Sequence, residues 1–197
     1  MPYELKLQRA HTVALTSAGI LTQSESFAII AGLDQIERRY GTASCPESDA
    51  EDLHTWVEAQ LTETAGDAGR KIHTARSRND QVATLLKLYV IDAGRKLAVD
   101  AKSLAKTLAG RAGGWSELVF PLQTHTQYAA PGNVGFWALR YAVSMDRIRR
   151  HAALLVGEWS EFCPLGSGAV AGSSIKIDRR IQAKELSHEQ RSRNARE

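Results

Sequence analysis

The chain has 197 residues, 43% of them hydrophobic, and its 25 basic and 22 acidic side chains leave a formal charge of +3. That length can bury a sizeable core, and cations spread along the chain without an aromatic ladder exclude a dedicated nucleic-acid binder. Short, charge-broken apolar stretches give no membrane span or signal peptide, and Cys45 and Cys163 are far apart, without partners at metal-ligand spacing, so two free thiols in a reducing cytoplasm are expected.

In chain order, Leu15–Ala18 closes a first helix at Gly19. Thr22-Gln23-Ser24-Glu25 reads as a capping box, and Ile29, Ile30, Leu33, Ile36 and Tyr40 continue at helical spacing to a stop at Gly41. Ser48–Glu51 repeats the capping pattern ahead of Leu53, Trp56, Val57 and Leu61, with a stop at Gly66. A long helix is predicted from Asp80 to near Gly110, with an apolar face wide enough for burial on more than one side. A second is predicted from near Pro131 through Trp137, Tyr141, Ile148 and Leu155. Period-two strands are not evident, so the reading is all-α. The polar, basic run from Gln190 to Glu197 reads as a frayed end. Two helices of about thirty residues are long for a small domain, and such helices bury wide apolar faces in bundles. With only two present, much apolar surface lacks a partner within the chain, and self-association is expected.

The densest chemistry lies in Arg70-Lys71-Ile72-His73-Thr74-Ala75-Arg76-Ser77-Arg78-Asn79-Asp80. Arg76, Ser77, Arg78 and Asn79 cluster hydrogen-bond donors with few acceptors, which suits a small molecule carrying several carboxylates. Ser77 with Asp80 forms a capping box, so the loop would run into a helix start whose N–H groups and dipole favour anions. A solvated basic loop capping a surface helix fits the same residues.

The words themselves are more specific. His73-Thr74-Ala75-Arg76-Ser77-Arg78-Asn79-Asp80-Gln81-Val82-Ala83-Thr84 resembles the signature of argininosuccinate lyase, in the fumarase/aspartase superfamily. Three further stretches agree in order. Glu47-Ser48-Asp49-Ala50-Glu51-Asp52-Leu53-His54 through Glu58 resembles that family's Glu-Asp-x-His helix. Thr124-His125-Thr126-Gln127 resembles its Thr-His-x-Gln site, and Pro164-Leu165-Gly166-Ser167-Gly168-Ala169-Val170-Ala171-Gly172 resembles its glycine-rich loop. The Arg-Ser-Arg-Asn-Asp-Gln word argues against fumarase, aspartase or adenylosuccinate lyase. Without a Lys or a strand-to-helix context, the glycines form no P-loop and read as a tight connection between helices.

The resemblance implies a reversible β-elimination of argininosuccinate to arginine and fumarate, in arginine biosynthesis, with neither metal nor organic cofactor. It implies residues 1–76 as an N-terminal helical domain and 77–197 as part of a central bundle, in a homotetramer whose sites are shared between subunits. Ser77, Arg78 and Asn79 would hold substrate carboxylates, Thr124 would contact substrate, and His125 would move the proton or activate the group that does. Gln127 would brace its loop or touch substrate. Arg76 and His73 are read as either structural or substrate-contacting.

Departures accompany the match. Gln8 stands ahead of Arg9-Ala10-His11 where the family has a substrate-contacting serine, and Ala75 stands where it has glycine. Gln123 and Ala130-Pro131-Gly132 also differ from the family's words. The mobile Gly-Ser-Ser-x-Met-Pro-x-Lys-x-Asn loop with the catalytic serine and the Trp-Gly-Gly-Arg-Phe segment have no counterpart in these residues. A truncated lyase inactive alone is therefore expected, with a catalytically dead structural or regulatory subunit of a longer homologue as the alternative.

Overall fold

The computed structural model describes residues 1–41, 48–188 and 190–191; Cys45 and most of the C-terminal basic run lie outside them. Two compact units are present, one of residues 1–89 with 159–197 and the other of residues 90–158.

The first unit begins with α1 (Pro2–Ser17), where Pro2 occupies a position whose N–H would lack a partner anyway. The chain turns at Gly19, at φ +72°, as its sequence suggests. The capping box forms as read: Thr22 Oγ1 accepts the Glu25 N–H at 3.2 Å, and the Glu25 carboxylate accepts the Thr22 N–H at 2.9 Å. It opens α2 (Gln23–Tyr40), which Gly41 ends. The next helix, α3 (Leu53–Ala65), departs from the expected cap. Asp52, not the Ser48–Glu51 box, accepts the Thr55 N–H at 2.6 Å. A carboxylate immediately ahead of Leu53 meets both the orphan donors and the positive end of the dipole, which Ser48 stands too far back to do.

Gly66 ends α3, and α4 (Asp67–Arg70) with a 3₁₀ turn (Lys71–His73) folds back onto it. Gly69 permits this approach, because a Cβ there would sit 2.2 Å from the Leu61 carbonyl oxygen. Leu5, Leu15, Ile29, Leu33, Val57 and Leu61 form the larger core. On the other side of α1, Leu7 and Ala10 pack with Leu88, Cys163, Leu165 and Leu186. This cluster joins the first turns of α5 (Arg78–Ala112), the turn after α6 (Val134–Glu161) and α7 (Arg179–Glu185). A short parallel pair, β3 (Phe162–Cys163) with β4 (Gln190–Arg191), completes the unit. Cys163 is a buried free thiol that burial pushes up to about 11.

The second unit holds the rest of α5, most of α6 and an antiparallel hairpin, β1 (Val119–Thr124) with β2 (Gln127–Asn133). The protein is helical as read, but the absence of strands is corrected by this hairpin. Its strands carry Pro121 opposite Pro131 and an irregularity between Leu122 and Gln123, which interrupt the regular alternation that marks a strand. Pro131 consequently sits in β2 and not at a helix start; Asn133 Oδ1 accepts the Phe136 N–H at 2.6 Å and begins α6. Buried residues of this unit are mainly small, among them Ala101, Ala138, Ala142 and Ala152, and Gly94 faces Val156. Large residues such as Leu97, Val99, Phe136, Val143 and Leu154 are exposed.

Removing buried Leu61 as Leu61→Ala should destabilise the protein by about 2–5 kcal/mol. Gly69→Ala should cost about 1–3 kcal/mol by forcing α4 away from α3. Urea denaturation checks both, and a Gly69→Ala chain as stable as the wild type would contradict the close approach.

Candidate active-site segments

The donor-rich loop is fixed from three directions. The Thr74 carbonyl accepts from His11 Nε2 at 2.9 Å, while His11 Nδ1 accepts from the Gln182 side-chain amide at 2.7 Å. Those partners require a neutral ring protonated on Nε2. Burial first, and then the Arg76 charge, lower the His11 pKa to about 3. The next residue, Ala75, takes φ +64°, a left-handed conformation that only glycine adopts without strain. The glycine that the resemblance leads one to expect there would avoid this strain.

Arg76 follows, with its side chain fully buried. Its Nη1 donates to Gln8 Oε1 at 2.9 Å and its Nη2 to Glu58 Oε1 at 3.2 Å. Gln8 in turn donates to Glu4 Oε1 at 2.5 Å, and Glu4 Oε2 is paired with His54 Nδ1 at 2.8 Å. Gln81 also donates to Glu4 Oε1, at 3.4 Å. Burial lowers the Arg76 pKa, and the carboxylates of Glu4, Glu58 and Asp80 oppose it. Of the two readings of Arg76, the geometry supports the structural one. Gln8, which stands where the resemblance implies a serine, belongs to the same buried network. His73 is exposed and lies 3.1 Å from Glu58 Oε1.

Ser77, Arg78 and Asn79 come together at the start of α5. The Asp80 carboxylate accepts the Ser77 N–H at 3.0 Å, and Ser77 Oγ accepts from the backbone and side-chain nitrogens of Asn79 at 3.3 and 3.2 Å. The cap thus differs from the expected box in one half, since the hydroxyl serves the Asn79 N–H and not that of Asp80. The second Asp80 oxygen accepts the Gly168 N–H at 2.8 Å, tying the glycine-rich turn to the helix start. Gly166, Gly168 and Gly172 all have positive φ, as a tight connection requires. Asn79 is exposed, Ser77 is half-buried, and Arg78 lies against α3.

Glu58 was not singled out by sequence. One oxygen, Oε1, meets His73 at 3.1 Å, Arg76 at 3.2 Å and Arg78 at 3.3 Å. Burial raises the Glu58 pKa, but the His73 hydrogen bond and the Arg76 and Arg78 charges outweigh it, so the group stays below the usual carboxylate range. The available signal was the spacing of Asp52, Thr55 and Glu58, three residues apart along one helix face.

In the other unit, Thr124, His125 and Gln127 occupy the exposed hairpin tip. His125 and Thr126 form the two-residue turn at φ +50° and +62°. Both positive angles are what a tight hairpin demands, and for β-branched Thr126 that conformation is strained. The Thr126 hydroxyl donates to the His125 carbonyl at 2.6 Å. Among the described residues no group of three or more His, Cys, Asp or Glu is arranged to hold a metal ion, and no helix is long and apolar enough to cross a membrane.

These features define a helical protein with a pinned, donor-rich helix start and a histidine on a strained turn. Residues 3–195 match the family described as Lyase, and the chain belongs to that family. Its relatives include the argininosuccinate lyase of Acidobacterium capsulatum, 38% identical over 94% of this chain and 40% of that protein. The argininosuccinate lyase of a Synechococcus strain is 38% identical over 99% of this chain and 40% of its own length. The chain thus spans about 40% of the length of these curated relatives. An EDDS lyase variant with bound fumarate superposes with a TM-score of 0.83 at 25% identity, over 98% of this chain and 38% of that one. The β-carboxy-cis,cis-muconate cycloisomerase of Acinetobacter calcoaceticus, at 20% identity and a TM-score of 0.74 over 98% of this chain and 47% of its own, shares the fold.

Two predictions follow from this geometry. Ala75→Gly should stabilise the chain by up to about 1 kcal/mol, because the folded backbone is left-handed there; a lower melting temperature would contradict this. The second concerns pH. Unfolded His11, with a pKa of 6.5, binds a proton that the folded ring refuses until about pH 3, so stability is complete above 6.5 and falls as pH drops through that window. Burial lowers His188 as well, in the same sense. The lowered carboxylates Asp52 and Glu58 act only below their ordinary values of 3.8 and 4.5. Between pH 6.5 and 5, acid should therefore lower the denaturation midpoint, at up to about 1.4 kcal/mol per pH unit for each imidazole. His11→Gln should flatten this slope; an unchanged slope would contradict the assignment.

Proposed function

We propose that this chain contributes to a carbon–nitrogen lyase acting on argininosuccinate, splitting it reversibly into arginine and fumarate. The observation that carries this reading is the helix start at Ser77–Asn79, which combines an exposed amide, a hydroxyl and the positive end of α5 in the sequence word of argininosuccinate lyases. Elimination requires removal of a proton beside a carboxylate and stabilisation of the carbanion's charge by fixed donors. Ser77 and Asn79 are suited to that second task, with Arg78 beside them. Thr124 and His125 on the hairpin tip would supply a substrate contact and a proton-moving group, and Gln127 would brace the tip.

Residues 77–197 would serve as part of a central helical bundle after the N-terminal helices of 1–76. The exposed Leu97, Val99, Phe136, Val143 and Leu154 support association with further copies, a tetramer by family resemblance, or with a longer homologue. No Gly-Ser-Ser-x-Met-Pro-x-Lys-x-Asn loop occurs in the 197 residues, so the proton-removing serine would come from elsewhere.

Fumarate release from argininosuccinate tests the reading. The 197-residue chain alone should turn over very slowly, a loss of roughly 10²–10⁴-fold for a missing proton-transfer group. Mixing it with a longer relative that keeps the serine loop but lacks its own Thr-His histidine should restore turnover. In that mixture His125→Ala should lower kcat more than binding, while Asn79→Ala should weaken binding by about 1–3 kcal/mol. No restoration, with mixed assemblies demonstrably formed, would contradict the reading.

A further inference from the structure

Arg78 has five N–H donors. Its Nε faces Asp52 Oδ2 at 3.4 Å, Nη1 reaches Gln81 Oε1 at 2.9 Å and Glu58 Oε1 at 3.3 Å, and Nη2 reaches Thr55 Oγ1 at 3.2 Å. Three of the five hydrogens thus make hydrogen bonds within this chain, and Nε stands in ion-pair range of Asp52. Three of the acceptors, Asp52, Thr55 and Glu58, project from the cap and first turns of α3. A two-pronged grip on a carboxylate needs two parallel N–H groups from one edge of the guanidinium. Both Nη1 hydrogens are taken, and the Nε–Nη2 edge is turned to Asp52 and Thr55. The charge is also matched, since Asp52 and Glu58 are both held below the usual carboxylate range. Asn79, one residue on, is exposed, and among the described residues its side-chain amide bonds only within the same turn to Ser77.

We infer that Asp52 and Glu58 turn Arg78 inward against α3, which makes Arg78 a positioning residue for the first turn of α5 and leaves Ser77 and Asn79 to meet a substrate carboxylate. The inference rests on the lyase reading for its substrate and on this chain's geometry for the hold itself. Glu58 spans both parts of the loop, because the oxygen that faces Arg78 also faces buried Arg76. Changing Glu58 would therefore move the loop as well as release one arginine.

Two measurements separate the hold from the substrate assignment. In the first, without ligand, the Arg78 Nη–H groups of the wild-type chain should exchange with water at least about tenfold more slowly than those of a free arginine, and Asp52→Asn with Glu58→Gln should abolish the difference. Exchange as fast as free arginine in the wild type would overturn the inference. If Glu58→Gln fails to fold, Asp52→Asn with Thr55→Val removes two of the four contacts and is read in the same way. The second uses a mixed assembly with a longer relative whose own loop asparagine is alanine, so that argininosuccinate turnover depends on this chain's Asn79. There Asn79→Ala should raise KM by about tenfold or more. Arg78→Lys and Glu58→Gln should each raise it by a few-fold, with the double variant no worse than the poorer single, as expected for residues acting through one contact. An Arg78→Lys effect larger than that of Asn79→Ala, together with a lower KM in Glu58→Gln, would show the fork binding substrate and overturn the inference. A wild-type mixture without turnover would remove the lyase reading alone, and the exchange measurement would still decide whether Arg78 is held.

Discussion

The burial of Arg76 constrains everything around it. A guanidinium removed from water is tolerated only with paired charge and hydrogen bonds, so the elements that supply its partners must come together. Gln8 comes from α1 and Glu58 from α3, and Glu4 of α1, His54 of α3 and Gln81 of α5 extend the network behind Gln8. The loop between Thr74 and Asn79 therefore has little conformational choice. Its left-handed Ala75 and its neutral His11 contact are consequences of the same anchoring. The exposed donors that follow are carried by a buried electrostatic frame, a favourable arrangement for a preformed anion site.

The two compact units are built on different principles. The first packs large aliphatic side chains around α1 and closes its glycine-rich turn through Asp80 and Gly168. The second buries mainly alanines and leaves leucine, valine and phenylalanine side chains in solvent. A helix pair that exposes so much apolar area gains little stability from its own contacts, and further burial against another surface would be strongly favourable. That imbalance is the physical support for the proposed association with a further surface.

Local punctuation was legible in the sequence. Thr22 and Glu25 cap as their spacing requires, and Gly41 and Gly66 end their helices. The helical architecture and the family words were also readable. The hairpin was not, because Pro121, Pro131 and an irregular register obscure its alternation, and His125-Thr126 lacks the Asn or Gly that usually signals such a turn. At the candidate site, sequence indicated the donors but not their internal partners. Whether Arg78 faces a ligand or its own protein depends on Asp52, Thr55 and Glu58, twenty or more positions upstream, and no local pattern around Arg78 contains that information. The buried role of Arg76 was undecided for the same reason, since Gln8 is 68 positions away.

The central claim is that the start of α5 is a preformed site for a dicarboxylate, with Ser77 and Asn79 as its contacts. Titration of the 197-residue chain with fumarate, followed by NMR at the backbone amides of residues 77–80 and the Asn79 side-chain amide, tests it most directly. The account predicts saturable shifts concentrated at Ser77 and Asn79, with the guanidinium signals of Arg76 and Arg78 nearly unmoved. Saturable shifts elsewhere in the chain, with Ser77 and Asn79 silent, would contradict it.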